Sequence, residues 1–244
     1  MKKRTPAVAG AFYPATKEEL KREINEFLRT RTEIKNAEAI ISPHAGYYYS
    51  GRIAGKAFAS LKKAEKIIIL GPIHTFYYQG ICTLEEEYTT PLGAIKTIIP
   101  EHIPKIKDDY GEHSIEVQIP FIQATQPKTA IIPIMVGSIG EKDEEKTADK
   151  IEKIIDEKTA IVVSSDLSHY KPEETAKKVD RQTIKNIINL KTTGINACGE
   201  NPIKILNIIA KRKKWKAKLL EYTTSGEKGN KQSVVGYAAI AYEK

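Results

Sequence analysis

Apolar residues recur along the chain with two periods, and each period predicts a different element. Short β-branched runs bounded by Ser, Gly or Pro lie at 39–42, 66–70 and 160–164, which is typical of buried strands. Apolar positions spaced three to four residues apart predict helices at 18–28, 51–61, 112–126, 141–156, 173–190 and 202–210. Alternating strand and helix patterns of this kind predict an α/β fold, and we interpret residues 1–244 as a single domain.

Connection lengths indicate how these elements pair. The helix at 51–61 joins two predicted strands, and a crossover of this length requires the two strands to be parallel. Strands predicted at 80–84 and 94–99 flank a turn at 90–93, which favours a hairpin or an extension of the sheet. The chain ends with strands predicted at 218–224 and 233–242, joined by a glycine-rich turn as an antiparallel pair.

Two prolines interrupt this pattern. Pro120 lies inside the helix predicted at 112–126 and is expected to kink it or to end its first segment. Pro133 lies inside a strand predicted at 129–136. Because proline cannot donate a ladder hydrogen bond, its position predicts an edge strand or a bulge.

Composition narrows the functional classes. The 39 basic and 31 acidic residues give a net charge of +8, but the lysines are spread along the chain, with their densest cluster at 211–216. We interpret that cluster as a solvated helix end and expect no nucleic-acid partner. Two cysteines are too few for a disulfide framework, and no apolar run approaches the roughly 20 residues of a membrane helix. We therefore expect a soluble cytoplasmic protein without a membrane partner.

Histidines follow the predicted strands at similar positions. His44 and His74 each come within a few residues of a strand end, and both are accompanied by Pro, with a Gly nearby. Carboxyl ends of parallel strands meet at one edge of an open α/β sheet, where ligands commonly bind. The two imidazoles therefore predict a shared site. Taken singly, a histidine after a strand is more often a hydrogen-bonded loop residue than a ligand.

The third strand ends in Ser165-Asp166-Leu167-Ser168-His169. A carboxylate close to an imidazole orients it and raises its basicity, so Asp166 and His169 are candidate acid/base residues, with the Ser165 hydroxyl beside them. The alternative is that Asp166 caps a turn and His169 is half exposed.

Further candidates lie outside these strand ends. Cys198 is either a small buried residue or, together with two imidazoles, part of a ligand set for zinc, iron or copper. His113 and Glu116 are three positions apart and therefore lie on one face of a predicted helix. They are either metal-binding or proton-transfer residues, or a local ion pair at a capped helix start. Tyr47 is expected to line a pocket beside His44 or to pack. Cys82 is predicted to lie in the core.

Eight segments, in this order, resemble the Memo family over essentially the whole chain. They are 9–14, 43–47, 71–74, 90–92, 112–116, 132–137, 164–169 and 198–199. The resemblance implies a relative of the class III non-haem iron extradiol dioxygenases, with a mixed β-sheet sandwiched between helices. It also implies His44, His74 and Cys198 as metal ligands and Asp166 and His169 as acid/base residues. Microbial members are often labelled AmmeMemoRadiSam system protein B, which implies a radical-SAM protein and an AMMECR-type protein as partners.

One residue departs from the dioxygenase pattern. Those enzymes hold Fe(II) with two histidines and a carboxylate, whereas position 198 supplies an oxidisable thiol. Ring cleavage is therefore not expected. We expect a metal-dependent redox protein that uses iron or copper rather than zinc, on a substrate that the residues do not identify. The alternatives are a peptide- or protein-binding module on an enzyme-derived fold and a copper-handling protein.

Overall fold

The computed structural model describes residues 2–244. The strands and α-helices follow in this order: β1 (Lys2–Arg4), α1 (Lys17–Leu28), β2 (Ala39–Ser42), α2 (Tyr47–Ser60), β3 (Lys66–Pro72), β4 (Ile81–Leu84), β5 (Glu86–Thr90), β6 (Gly93–Ala94), β7 (Lys105–Ile106), α3 (Ile119–Thr125), β8 (Ala130–Val136), α4 (Glu144–Glu152), β9 (Thr159–Ser164), β10 (His169–Lys171), α5 (Glu173–Ile188), α6 (Glu200–Arg212), β11 (Lys216–Thr224) and β12 (Val234–Glu243).

A nine-stranded mixed sheet organises the protein. Its strand order is β10-β12-β2-β9-β3-β8-β4-β7, and β11 pairs with β12. The four central strands, β2, β9, β3 and β8, are parallel, whereas β12 runs antiparallel to β2 and β4 runs antiparallel to β8. A second, three-stranded sheet has the order β1-β5-β6. The strands that α2 joins, β2 and β3, are parallel as predicted. They are not adjacent, because β9 lies between them.

Alternate residues of the central strands face two separate cores. Ile40, Ile67 and Ile69 pack with α1, α2 and α3 on one face of the sheet. Ile41, Ile68 and the other face of β9 pack with α4, α5 and α6. Because both faces are covered, the parallel strands are apolar throughout instead of alternating with polar residues. The predicted arrangement of a mixed sheet between helices is therefore confirmed.

The helices follow their predicted positions, with shifts at the ends. α1 is capped by Thr16, whose hydroxyl accepts a hydrogen bond from the Glu19 N–H at 3.4 Å. α2 begins at Tyr47, four residues before the predicted start, so it starts directly behind the His44 loop. The helix predicted at 112–126 is shorter: a 3-10 turn at Glu116–Gln118 leads into α3, with Pro120 in the first turn. Proline is tolerated there because first-turn N–H groups have no partner within the helix.

The hairpin and the strand containing Pro133 differ from the prediction. The hairpin turn joins β5 to the two-residue β6, whereas β4 pairs with the end of β8. β8 is an internal strand between β3 and β4. Pro133 falls between an isolated bridge at Ile131 and the β4 pairing at Met135. β4 pairs with β8 only at Met135 and Val136. No strand partner is therefore lost where Pro133 lacks an N–H.

Strand register places the candidate site. Ser42 of β2 pairs with Ser164 of β9, and Leu70 of β3 pairs with Val163, so the three carboxyl ends lie side by side. The segments that follow these strands therefore start from the same edge of the sheet. Within residues 2–244, no helix has both the length and the apolar character needed to cross a bilayer.

Candidate metal centre

His44, His74 and Cys198 come together beyond the carboxyl ends of β2 and β3. One ligand atom from each of the three residues lies within 4.8 Å of the other two. The Nε2 atom of His44 is 3.3 Å from the Cys198 sulfur, and the two imidazole centroids are 5.2 Å apart. The convergence predicted from the sequence is therefore present in the structure.

A buried serine fixes the tautomer of His44. The Ser164 hydroxyl donates to the Ser114 carbonyl at 2.6 Å, so it acts as the acceptor for the His44 Nδ1–H at 2.9 Å. The Gln118 amide also donates to this hydroxyl, at 2.8 Å. With Nδ1 protonated, the lone pair of His44 is on Nε2, the atom that faces Cys198.

A buried carboxylate does the same for His74. Glu112 Oε1 accepts from His74 Nδ1 at 3.1 Å and from the His113 and Ser114 N–H groups at 2.8 Å each, and Oε2 accepts from the His74 N–H. Burial alone raises the pKa of Glu112, but these hydrogen bonds lower it to about 2. Because its oxygens already accept several N–H groups, Glu112 orients His74 and leaves the His74 Nε2 free for a ligand.

The loop after β9 holds Cys198. The Asp166 N–H donates to the Cys198 sulfur at 3.2 Å, and the Ser165 hydroxyl accepts from the Gly199 N–H at 2.9 Å. A Cβ at position 199 would lie 2.6 Å from the Ser165 Cβ, so only glycine allows this close approach. Burial, with a contribution from the Asp166 charge, raises the pKa of the Cys198 thiol to about 12. A bound cation reverses this preference, because a coordinating thiol is deprotonated.

Asp166 and His169 both line the cavity next to these ligands. The Asp166 carboxylate accepts from the His44 backbone N–H at 2.9 Å and is buried, while His169 is half exposed. Burial raises the pKa of Asp166, and the N–H groups of His44 and Ala45 and the charge of His169 oppose that shift. Within residues 2–244, the Asp166 carboxylate makes no hydrogen bond to the His169 ring. Its direct effect is on the loop that carries His44.

The cavity has a volume of about 540 Å³ and opens to solvent. His113 and Phe12 form part of its wall, and Tyr170, 78% exposed, lies at its mouth. The His113 ring stacks on His74 with centroids 5.1 Å apart. Burial lowers the pKa of His113, although Glu112 opposes the shift. No lysine or arginine contributes to the described lining of this cavity.

The structure separates three candidates from the cavity wall. Glu116 is fully buried and accepts hydrogen bonds from Tyr13 Oη at 2.6 Å and from the N–H groups of Ala7 and Val8. Glu116 therefore fastens the amino-terminal segment, and none of these hydrogen bonds involves His113. Tyr47 is a core residue whose hydroxyl donates to the Val117 carbonyl at 2.8 Å. Ser165 holds the Cys198 loop instead of lining the cavity.

Sequence reasoning missed the residues that orient the histidines. Glu112, Ser164 and Gln118 are buried polar side chains that approach His44 or His74 only in the folded chain. The sequence offered one indication of these residues: Ser164 is the last residue of a predicted strand that is followed by a histidine, His169. Cys82 is buried in the core as predicted.

The residues fit a transition-metal ion. Nitrogen and sulfur ligands about 2.0–2.3 Å from a tetrahedral ion lie about 3.5 Å apart, close to the 3.3 Å between His44 Nε2 and Cys198 Sγ. Burial, together with the nearby His74 and His113 rings, holds the pKa of His44 well below its ordinary value, which favours the neutral ligand form. Two imidazoles and a thiolate suit zinc, iron and copper, while the hard oxygen-preferring cations are disfavoured.

Comparison with known proteins identifies the family. A family model described as Memo-like protein matches residues 4–241. The chain belongs to the Memo family. A MEMO1 family protein of Archaeoglobus fulgidus is 35% identical over 98% of this chain and 99% of its own length. A MEMO1 family protein of Methanosarcina mazei is 35% identical over the full length of both chains, and one of Saccharolobus solfataricus is 34% identical over 98% and 99%.

The Memo match spans every candidate residue between His44 and Cys198, so the site lies within the part of the chain shared with the family model. The resemblance seen in the sequence segments is thereby confirmed. The names of these relatives state the family and no reaction.

Proposed function

We propose that this Memo family protein is a metal-dependent redox protein that binds iron or copper. One observation carries the proposal: the buried His44, the exposed His74 and Cys198 come from distant segments and converge within 4.8 Å, and each histidine has its other nitrogen occupied by a buried acceptor. Histidines that only hydrogen-bond within their loops do not require both Nε2 atoms to be left free for a shared ligand. The arrangement supports ligand binding over a purely structural role.

His44 and His74 are the nitrogen ligands, through Nε2, and Cys198 is the sulfur ligand. Bound iron or copper supplies one-electron redox chemistry at this position. The thiolate is held by the Asp166 N–H, which donates to the sulfur at 3.2 Å. Hydrogen bonds to a ligand sulfur tune the potential of the metal that it binds. The soft sulfur favours copper, and the likeness to non-haem dioxygenases favours iron.

His169 is the proton-transfer residue in this proposal. It lies at the cavity with Asp166, half exposed, where it can exchange a proton with solvent. Asp166 holds the His44 backbone and supplies a nearby negative charge. The wall of Phe12, His113 and Tyr170 excludes water from one side of a bound substrate and offers aromatic contacts to it.

The proposal includes a dioxygenase-like fold, a cytoplasmic setting and the two partners implied by the family label, a radical-SAM protein and an AMMECR-type protein. A mixed sheet between two layers of helices, with the ligands at its carboxyl edge, is the arrangement that the family resemblance implies. Cys82 and Cys198 are both free thiols, which is consistent with a reducing compartment.

Metal reconstitution tests the proposal. The protein is purified anaerobically, loaded in turn with Fe(II), Cu(I) and Zn(II), and desalted before elemental analysis. We expect one iron or copper per chain, loss of that metal in His44→Ala, and retention in His102→Ala, whose exposed ring contacts the Lys150 carbonyl. Reversible spectral change on oxidation and reduction tests the redox assignment. Sub-stoichiometric metal that is unaffected by His44→Ala would contradict the proposal.

A binding module is the second candidate, and the open, aromatic mouth of the cavity favours it. Tyr170 and Phe12 present apolar surface beside a volume of about 540 Å³, which suits a peptide side chain. If the same partner is recovered from lysate with His44→Ala and Cys198→Ser as with the unaltered protein, binding is favoured over chemistry. Tight Cu(I) binding that suppresses copper-driven oxidation, without product formation, would instead indicate copper handling.

A further inference from the structure

The opposite edge of the central sheet carries a concentration of positive charge. Lys35, Lys63 and Lys128 lie just before β2, β3 and β8, at the amino ends of three of the central parallel strands. β3 has seven residues, so the two edges are separated by about 20 Å of strand. This charge is therefore outside the candidate metal centre.

Two adjoining cavities define this surface. They have volumes of about 780 and 440 Å³ and share Ala124 at the end of α3. We call their combined lining the amino-edge basic face. Its cations are Arg31, Lys35 and Lys63 in the larger cavity and Lys17, Lys21, Lys96 and Lys128 in the smaller one. No Asp or Glu belongs to the described lining of either cavity.

The cations of the amino-edge basic face are exposed and unpaired. Within residues 2–244, none of the seven forms an ion pair. Lysines elsewhere do: Lys66 binds the Asp156 carboxylate, and Lys204 binds that of Glu200. Lys63 donates to the Thr125 carbonyl at 2.6 Å, which leaves its charge uncompensated by any acid. Unpaired like charges repel one another, and an anionic partner removes that cost.

The amphipathic pattern of α1 contributes to this segregation. Lys17, Lys21 and Asn25 are spaced four residues apart and line the smaller cavity together. The carboxylates of α1, among them Glu19, Glu23 and Glu26, occupy other positions around the helix and are not part of that lining. α1 therefore presents a basic edge to the cavity although its overall composition is mixed.

The floors of both cavities are apolar. Leu28, Phe58 and Leu61 line the larger cavity, and Leu92 and Ile95 line the smaller one. Phe58 is the one aromatic residue in the described lining and is 3% exposed, so the face offers no platform for stacking nucleobases. Cationic rims above apolar floors match a chain in which acidic and apolar side chains are interspersed.

We propose that the amino-edge basic face binds an acidic segment of a partner protein, with carboxylates over the lysines and apolar side chains in the two cavities. The occupant is a peptide segment, because the face lacks the stacking surface that nucleic acid uses. The binding is independent of the metal centre. Its affinity falls with ionic strength, because the lysines are exposed to screening.

Fluorescence anisotropy with a labelled peptide of repeated Glu-Asp-Leu tests this proposal. The competitors are a Glu-Asp peptide without leucine and a single-stranded oligothymidylate, each carrying the same number of negative charges. The test variant combines Lys21→Glu, Lys96→Glu and Lys128→Glu. Its matched control combines Lys211→Glu, Lys213→Glu and Lys216→Glu, which changes the net charge equally in the densest lysine cluster of the sequence.

We expect the test variant to bind the labelled peptide at least about tenfold more weakly, and the matched control to change binding much less. His44→Ala is expected to leave peptide binding unchanged, so failure of the metal proposal and failure of this one are distinguishable. Equal weakening by both triple variants would contradict the proposal. Tighter binding of the oligothymidylate, lost in the test variant, would assign the face to nucleic acid instead. If the triple variant does not fold by circular dichroism, glutamine at the same three positions provides the test.

Discussion

His44 Nε2 lies 3.3 Å from Cys198 Sγ, although the two residues are 154 positions apart in the chain. The contact forms because β2 and β9 are adjacent parallel strands and the loop after β9 binds the segment that carries Cys198. Any change that displaces either loop should therefore reduce metal binding even when all three ligands are retained.

Ser164→Ala tests the orientation of His44. The substitution removes the acceptor of the His44 Nδ1–H and leaves the Gln118 amide without the same partner. We expect metal affinity to fall about 10- to 100-fold, as found when partners of metal-bound histidines are lost. Competition with a chromophoric chelator measures the effect. Ser42→Ala is the control, since Ser42 pairs with Ser164 in the sheet and makes no bond to the histidine. Equal losses in both variants would contradict the assignment.

Gly199→Ala tests the position of the Cys198 loop. The added methyl would lie 2.6 Å from the Ser165 Cβ and 2.9 Å from the Ser164 carbonyl oxygen, so the loop must move away from the strand end. We expect weaker metal binding together with a loss of about 1–3 kcal/mol in the free energy of unfolding. Gly140→Ala is the control, because its nearest contact would be an ordinary 3.8 Å to Asp143. Unchanged metal affinity in Gly199→Ala would show that the loop adapts without cost.

Arg4→Met tests the buried ion network at the amino terminus. The Arg4 side chain is 5% exposed and binds Asp109, at 2.6 Å, and Glu116, which is fully buried. Burial raises the pKa of Asp109 even with Arg4 beside it. Loss of the arginine leaves two buried carboxylates without a counter-charge, and we expect a loss of about 3–5 kcal/mol in urea unfolding. The exposed Arg22→Met should change stability by less than about 0.5 kcal/mol. Similar values for both variants would be inconsistent with an energetic role for the network.

Tyr47→Phe separates the core role of this residue from a role in the cavity. The substitution removes one buried hydrogen bond, from the hydroxyl to the Val117 carbonyl. We expect a loss of about 1 kcal/mol in the free energy of unfolding, because the carbonyl is left unsatisfied. Metal affinity should stay the same, since Tyr47 does not line the cavity. A marked change in metal affinity with unchanged stability would contradict the core role and indicate that Tyr47 acts at the metal site.

The pH dependence of stability near the start of β9 follows from Asp156. Hydrogen bonds from Lys66 and Thr159 lower the pKa of this carboxyl from 3.8 to about 2. A carboxyl with a lowered folded-state pKa stabilises the protein above its unfolded-state pKa, and the contribution is lost as the pH falls toward 2. Asp156→Asn should therefore be less stable than the unaltered protein at neutral pH, and the difference should shrink below about pH 4. Urea midpoints measured across this range, with the exposed Glu18→Gln as control, provide the test. A difference independent of pH would contradict it.

The element pattern was largely predictable because local spacing determines it. The strands at Ala39–Ser42, Lys66–Pro72 and Thr159–Ser164 are apolar throughout, and helices cover both faces of the sheet that they form. The hairpin was misplaced, since 80–84 and 86–90 both have strand character and only tertiary pairing decides which of them meets the turn. Pro133 was misjudged because partial coverage by β4 cannot be read from β8 itself.

The sequence by itself determined the strand ends, the two histidines that follow them and, through the family resemblance, the choice of Cys198 as their companion. Tertiary structure decided which side chains orient them: Glu112 on His74 and Ser164 on His44 approach across separate segments. It also moved Glu116 and Tyr47 away from the cavity and gathered dispersed lysines at the opposite edge of the sheet. Period and spacing act over a few residues, whereas a ligand set and a charged face depend on contacts between segments far apart in the chain.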